Sequence, residues 1–198
     1  MVVVIDCETT GLSAKTNRII ELAAVRIEND EIVSQWQSLI NPGCAIPEEI
    51  TRITGISTEM ARGGQPIEVA LQGFQKFVGS APLVAHNAKF DSAFLETELN
   101  RQGHALPNDF ACTLKLSKKV YPRAGTYRLQ EIAKYVDLPT EGNYHRALAD
   151  AMLAAELWLQ IKRDLCAKHR LTDIDFSILR RLQDVSDVDL FLKSIKLT

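Results

Sequence analysis

The chain opens on a segment with little freedom: Val2-Val3-Val4-Ile5-Asp6-Cys7-Glu8-Thr9-Thr10-Gly11-Leu12. Four β-branched apolar residues signal a buried strand, and two carboxylates follow before a Thr-Thr-Gly turn. Alternate side chains of a strand share a face, so Asp6 and Glu8 point one way and Cys7 points the other, into the core. Paired carboxylates at the end of a core strand repel each other and resist leaving water. A divalent metal ion between them relieves both costs.

Residues 19–27 read as a second strand, 28–31 as a polar turn and 32–40 as a third strand. Connections this short imply antiparallel pairing, so residues 2–40 form a meander. Asn41-Pro42-Gly43 ends it. Pro47 opens a short helix closed by Gly55, and Ser57 caps another. Pro66 opens an amphipathic helix with Ile67, Ala70, Leu71, Phe74, Phe77 and Val78 at helical spacing. Residues 82–85 form a brief buried strand. Asn87 is expected to cap the next helix, striped by Phe90, Ala93, Phe94, Leu95 and Leu99 and ended by Gly103. Strand followed by helix on one sheet is a parallel crossover arrangement. A short apolar piece and two helices fill 110–136, the second capped near Thr126; a loop spans 139–143, and an Ala/Leu-rich helix runs over 146–165. The fold class is α/β: a mixed five-stranded sheet, three antiparallel strands then parallel ones, flanked by helices.

A net charge of −2 argues against a protein that coats duplex DNA, so any nucleic-acid contact is expected to be local. No apolar run approaches the roughly 18 residues of a membrane span. A strand beginning at residue 2 leaves no room for a signal peptide. Cys7, Cys44, Cys112 and Cys166 are scattered without a Cys-x-x-Cys pair, which favours free thiols in a reducing cytoplasm.

Three places supply reactive groups. Asp6 and Glu8 end the first strand. Asp91 lies in the first turns of the helix after the fourth strand, where the helix dipole favours an ionised acid. Asp150 lies in the first turns of the long helix, with His145 at its start. Four converging carboxylates carry about −4, which two divalent cations neutralise, and oxygen-only ligands select Mg2+ or Mn2+.

The order of these pieces matters more than any one. Asp6-x-Glu8-Thr9-Thr10-Gly11-Leu12 comes first, then His86-Asn87-Ala88-Lys89-Phe90-Asp91, then His145-x-x-x-x-Asp150 opening an Ala-rich helix. That order resembles the DEDD superfamily of 3′–5′ exonucleases on a ribonuclease H-like fold, in its histidine branch, which includes the proofreading subunits of bacterial replicative polymerases. The resemblance covers residues 2–165, including the stretch Ile40-Asn41-Pro42 to Ile53-Thr54-Gly55-Ile56. It implies an exonuclease domain over 1–165; residues 166–198 lie beyond it and read as a helical extension, either packed on the domain or used for partner binding. It also implies one metal held by Asp6, Glu8 and Asp150, a second held by Asp6 and reached by Asp91 partly through water, and His145 as general base. A histidine base acts when neutral, so activity is expected to rise from mildly acidic to alkaline pH. The product is a nucleoside 5′-monophosphate.

The resemblance further implies that Thr9, Thr10, Gly11 and Leu12 meet the terminal nucleotide, with Leu12 wedged against the base and His86, Asn87 and Phe90 on the same rim. Leu12 alternatively reads as a half-buried loop residue, and Phe90 as core. A basic cluster (Lys115, Lys118, Lys119, Arg123, Arg128 and Lys134, interleaved with Tyr121 and Tyr127) is either a track for a single strand or two solvated helix faces. In the extension, Thr172 is expected to cap one helix and Ser186 another. Asp187-Val188-Asp189-Leu190-Phe191 resembles the sliding-clamp-binding pentapeptide without its leading Gln, making residues 187–191 a candidate contact for a clamp or polymerase. The favoured substrate is the 3′ end of single-stranded or frayed DNA. An exoribonuclease that trims oligoribonucleotides, and a non-catalytic scaffold acting through 166–198, stand as alternatives.

Overall fold

The computed structural model describes residues 1–140 and 145–195. Three strands open the chain, β1 (Val2–Thr9), β2 (Ile19–Glu28) and β3 (Glu31–Leu39), paired antiparallel as the short connections require. Helices α1 (Glu48–Thr54), α2 (Thr58–Arg62) and α3 (Ile67–Val78) follow, then β4 (Leu83–Ala85), α4 (Lys89–Arg101), β5 (Phe110–Cys112) and α5 (Thr113–Val120). The remaining helices are α6 (Leu129–Tyr135), α7 (Ala147–His169), α8 (Phe176–Leu182) and α9 (Val188–Ile195). Strand order is β3-β2-β1-β4-β5, with β4 parallel to both β1 and β5. This is the mixed, ribonuclease H-like sheet expected.

The two-residue period of β1 divides the core in half. Val2 and Val4 face a cluster built on α5 to α9, whereas Val3, Ile5 and Cys7 face α3 and α4. Asp6 and Glu8 therefore continue the row that faces α7. Beyond Val4↔Val84 the short β4 soon runs out, so the end of β1 projects past it, where α4 begins. Ligands in open α/β sheets collect at such carboxyl ends of strands.

Several caps differ from expectation. Asn87 takes a left-handed φ of 71° in the turn before α4 and makes no side-chain cap; Ala88 holds the cap position. Arg128, not Thr126, precedes α6, and no side chain caps it. In the extension Asp175 caps α8 in place of Thr172, and Asp187 accepts from Leu190 N–H in place of Ser186. Thr172 and Ser186 lose because an aspartate nearer each helix start presents a carboxylate to the same free N–H groups. The loop expected at 139–143 lies partly outside the described residues.

Candidate active site

Asp6, Glu8 and Asp150 offer ligand oxygens that all lie within 4.8 Å of one another. Two elements bring them together: β1 supplies the first two, and α7, packed across β1 and β2 through Ala147, Ala151 and Ala154, supplies the third. Alanines at the start of α7 let it lie close to the sheet, and Ala147 and Ala151 are fully buried. Asp91 stands on the other side of β1. Its Oδ1 accepts the Cys7 backbone N–H at 3.2 Å, and its carboxyl is buried at α4's first turn. Asp91 thus borders the cluster without joining its tight trio.

Burial and mutual repulsion hold protons on these acids. Asp6 is pushed well above the usual carboxylate range by burial, then by the charges of Asp91, Glu8 and Asp150. Glu8 is raised to about 7 by burial and by Asp150 and Glu21, with Arg146 pulling the other way. Burial raises Asp91 to about 7 against the hydrogen bonds it accepts from the Cys7 thiol and from backbone N–H groups. Burial also raises Asp150, opposed by His145. An oxygen-only set with this much unrelieved repulsion fits a hard divalent cation among Asp6, Glu8 and Asp150.

His145 is exposed beside the trio, and its own N–H donates to Asp150 Oδ2 at 3.1 Å. In the loop that follows β1, Leu12 is 88 % exposed. With Ala14, Asn87, Lys89, Phe90, Ala93 and Phe94 it lines an open apolar groove of about 310 Å³. Phe90 is half-buried and packs on Phe94, ring centroids 4.9 Å apart, so it serves both core and groove.

A profile of the RNase T exonuclease family matches residues 3–158. The chain belongs to the exonuclease family. It is 39 % identical over 182 residues to the DNA polymerase III subunit epsilon of Aquifex aeolicus, covering 91 % of this chain and 89 % of that one. It is also 39 % identical to the PolC-type DNA polymerase III of Clostridium perfringens, matching 78 % of this chain but only 11 % of that much longer protein. Among solved structures, Exonuclease X in complex with 5′-overhanging duplex DNA superposes with a TM-score of 0.72 at 27 % identity, over 92 % of this chain and 99 % of that one.

In this exonuclease the other residues expected to touch substrate divide in two. Leu12, Asn87 and Phe90 line the groove. Thr9 and Thr10 are buried instead, with hydroxyls used inside the turn: Thr9 donates to Gly11 O at 2.7 Å and Thr10 accepts Arg18 N–H at 3.0 Å. A Cβ at Gly11 would sit 2.6 Å from the Asn17 side-chain amide, which would have to shift to admit it. His86 is also turned inward. Its Nε2 donates to Tyr127 O at 2.8 Å, which leaves Nδ1 to accept from Thr113 Oγ1 at 2.9 Å, and burial drops its pKa to about 4. It is a neutral strut between β4 and the loop before α6 rather than a rim residue.

Two buried acids escaped the sequence reading. Glu21, on β2 opposite Glu8, takes the Arg146 guanidinium on both oxygens and also accepts Ala147 N–H at 2.9 Å. Glu98, on α4, holds Arg18 at 2.7 Å and Arg101 at 2.8 Å, and Arg101 reaches on to Lys15 O. This second pair fastens the loop carrying Leu12 to the helix carrying Phe90. The only signal in the sequence was the presence of acids inside apolar stretches, which long-range partners alone explain.

Of the basic cluster, Lys115 pairs with Asp184 and Lys134 with Glu131. Lys118 lies 5.9 Å over the Tyr127 ring. Lys118, Arg123 and Arg128 are exposed and make no ion pair with a described residue. The clamp-like pentapeptide is not an extended peptide. Asp187 to Phe191 opens α9, and Phe191 lies against the core with Arg181 5.1 Å over its ring, leaving Leu190 outermost. Phe191 is thus engaged by the domain itself, whereas Leu190 stays exposed to solvent. Among the described residues, no helix is long and apolar enough to cross a membrane.

Proposed function

We propose that this exonuclease degrades single-stranded or frayed DNA from its 3′ end, releasing nucleoside 5′-monophosphates, with two Mg2+ or Mn2+ ions and with His145 as general base. The observation that carries the reading is the convergence of Asp6, Glu8 and Asp150, with the exposed His145 bonded to Asp150 through its N–H. Asp6, Glu8 and Asp150 would hold one cation. Asp91, whose charge acts on Asp6 more strongly than that of any other residue, would reach a second that Asp6 shares. Cations bound there supply charge neutralisation of the phosphate and make water a stronger acid.

The protein's own groups do the rest. Leu12 and Phe90 hold the terminal base by stacking and apolar contact, which orients the last phosphodiester toward the acids. His145, beside Asp150, takes a proton from the attacking water on a neutral imidazole nitrogen. Neighbouring Asp150 stabilises the imidazolium that forms. Lys118, Arg123 and Arg128 offer phosphate contacts for the strand behind the terminal nucleotide. The relatives support DNA as the polymer, since Exonuclease X is described with DNA, and a setting beside a DNA polymerase, since the Aquifex protein is named as a polymerase subunit.

The test is release of mononucleotides from end-labelled oligonucleotides. We expect a ladder shortened from the 3′ end with Mg2+ or Mn2+, no cleavage in chelator, and slower cleavage of the matching RNA. Attack from the 5′ end, or turnover indifferent to chelation, overturns the reading.

A further inference from the structure

We infer that Glu21 and Arg146 form a clamp that positions His145 for catalysis, an inference that rests on His145 being the base. His145 has a left-handed φ of 64°, a strained conformation for a residue with a Cβ that persists only where its surroundings enforce it. The enforcement comes from both sides. The His145 N–H is tied to Asp150 Oδ2 at 3.1 Å. The next residue, Arg146, lays Nε and Nη2 on Glu21, with Nη2 to Oε1 at 2.6 Å, and Ala147 N–H closes on the same carboxylate at 2.9 Å. Glu21 is only 3 % exposed and sits on β2, directly paired with Glu8 on β1.

The turn carrying His145 is therefore pinned to the sheet that carries the metal ligands, through a planar, two-point contact that fixes direction as well as distance. The cap residue Arg146 does not cap α7 with its own side chain, and the carboxylate of Glu21, from β2, serves the helix's first free N–H instead. Asp150 has a separate support, since α7 is held across β1 and β2 by Ala147, Ala151, Ala154 and Ala155. Losing Arg146 should thus loosen His145 more than Asp150.

The experiment is a double-mutant cycle on the full chain with Arg146→Ala, His145→Ala and both together. Turnover is read on a labelled oligonucleotide and Mn2+ affinity by calorimetry. Arg146→Ala should lower kcat by roughly 10- to 100-fold, the scale of a misplaced general base, with KM changed by less than about 2-fold. Mn2+ affinity should stay within about 3-fold, because the Arg146 guanidinium bonds Glu21 and not one of the metal ligands. In the His145→Ala background the same change should cost less than about 2-fold, since its target is gone. Free guanidinium should restore part of the rate of Arg146→Ala. Should that protein fail to fold, Arg146→Lys keeps the charge but loses the fork, and a smaller kcat loss with the same absence of effect in the His145→Ala background is expected. Equal losses with and without His145, or a collapse of Mn2+ affinity, overturn the clamp. Full activity of His145→Ala alone overturns the base assignment and the clamp with it, and that result is visible in the single variant.

Discussion

Asp6, Glu8, Asp91 and Asp150 share one electrostatic predicament, and stability should report it. Each is held above its ordinary pKa, Glu8 and Asp91 to about 7, first by burial. Between the usual carboxylate range and pH 7 the metal-free folded chain binds protons that the unfolded chain has released. Stability is then fully present at the acidic end and is lost as pH rises to about 7. His86, depressed to about 4, works the other way, but it is one group against four. In chelator the melting temperature should fall from about pH 5 to about pH 8, fall less in Glu8→Gln, and recover with Mg2+. A melting temperature that climbs over that interval would contradict the charge cluster. Asp6→Ala or Asp150→Ala should abolish turnover and weaken Mn2+ binding in calorimetry, while leaving a folded protein. Leu12, almost wholly exposed, should tolerate alanine within about 0.5 kcal/mol of stability, yet Leu12→Ala should raise KM for oligonucleotides in a steady-state assay.

Elements were legible in the sequence where one period governed them, and illegible where a single partner did. The alternation along β1 placed Asp6 and Glu8 on one face and Cys7 on the other, and the structure keeps that division across both halves of the core. Asp6, Glu8, Asp91, Asp150 and His145 are found at the strand end and helix starts where their motifs put them. The caps at Thr172 and Ser186 failed because a neighbouring aspartate takes the same N–H groups, whereas at Asn87 and Thr126 the helix starts without any side-chain cap from its cap residue. Glu21 and Glu98 were invisible because their partners lie 125 and 80 residues away. The inward turn of His86 depends likewise on Tyr127 O, contributed by another element. Glu98 gives a test at this scale. Glu98→Gln leaves two arginines, each about one-third exposed, without their shared anion. The expected cost is about 1–3 kcal/mol, or roughly 2–10 °C in melting temperature. Trypsin should then cut the loop at Lys15 and Arg18 faster, and KM should rise as Leu12 loses its fixed place. An unchanged cleavage rate would show that Asn17 and the Thr10–Arg18 bonds hold the loop unaided.

At the scale of the whole molecule, the question is whether the last helices are an appendage or part of the fold. The motifs end with α7, and a boundary at residue 165 looked natural from the sequence. In the structure α7 runs on to His169, and α8 and α9 return to cover its far side. Leu179, Leu182 and Leu192 are buried in the same cluster as Val2, Val4 and Trp158, and Phe176 stacks near Trp158 at 6.0 Å. Gln183 Oε1 also accepts the Cys112 N–H on the edge strand β5 at 2.9 Å. Burying three leucines contributes about 1.5–3 kcal/mol each, which together approaches the total stability of a typical domain, about 5–15 kcal/mol. A chain ended after Arg170 should therefore aggregate or melt at least about 10 °C lower, although it keeps all five reactive residues. Leu182→Ala in the full chain should cost roughly 2–5 kcal/mol by denaturant titration, with metal-dependent cleavage per folded molecule intact. A truncated chain that melts at the full-length temperature would mean that α8 and α9 merely rest on the domain, and that the face they cover on α7 is stable when exposed to water.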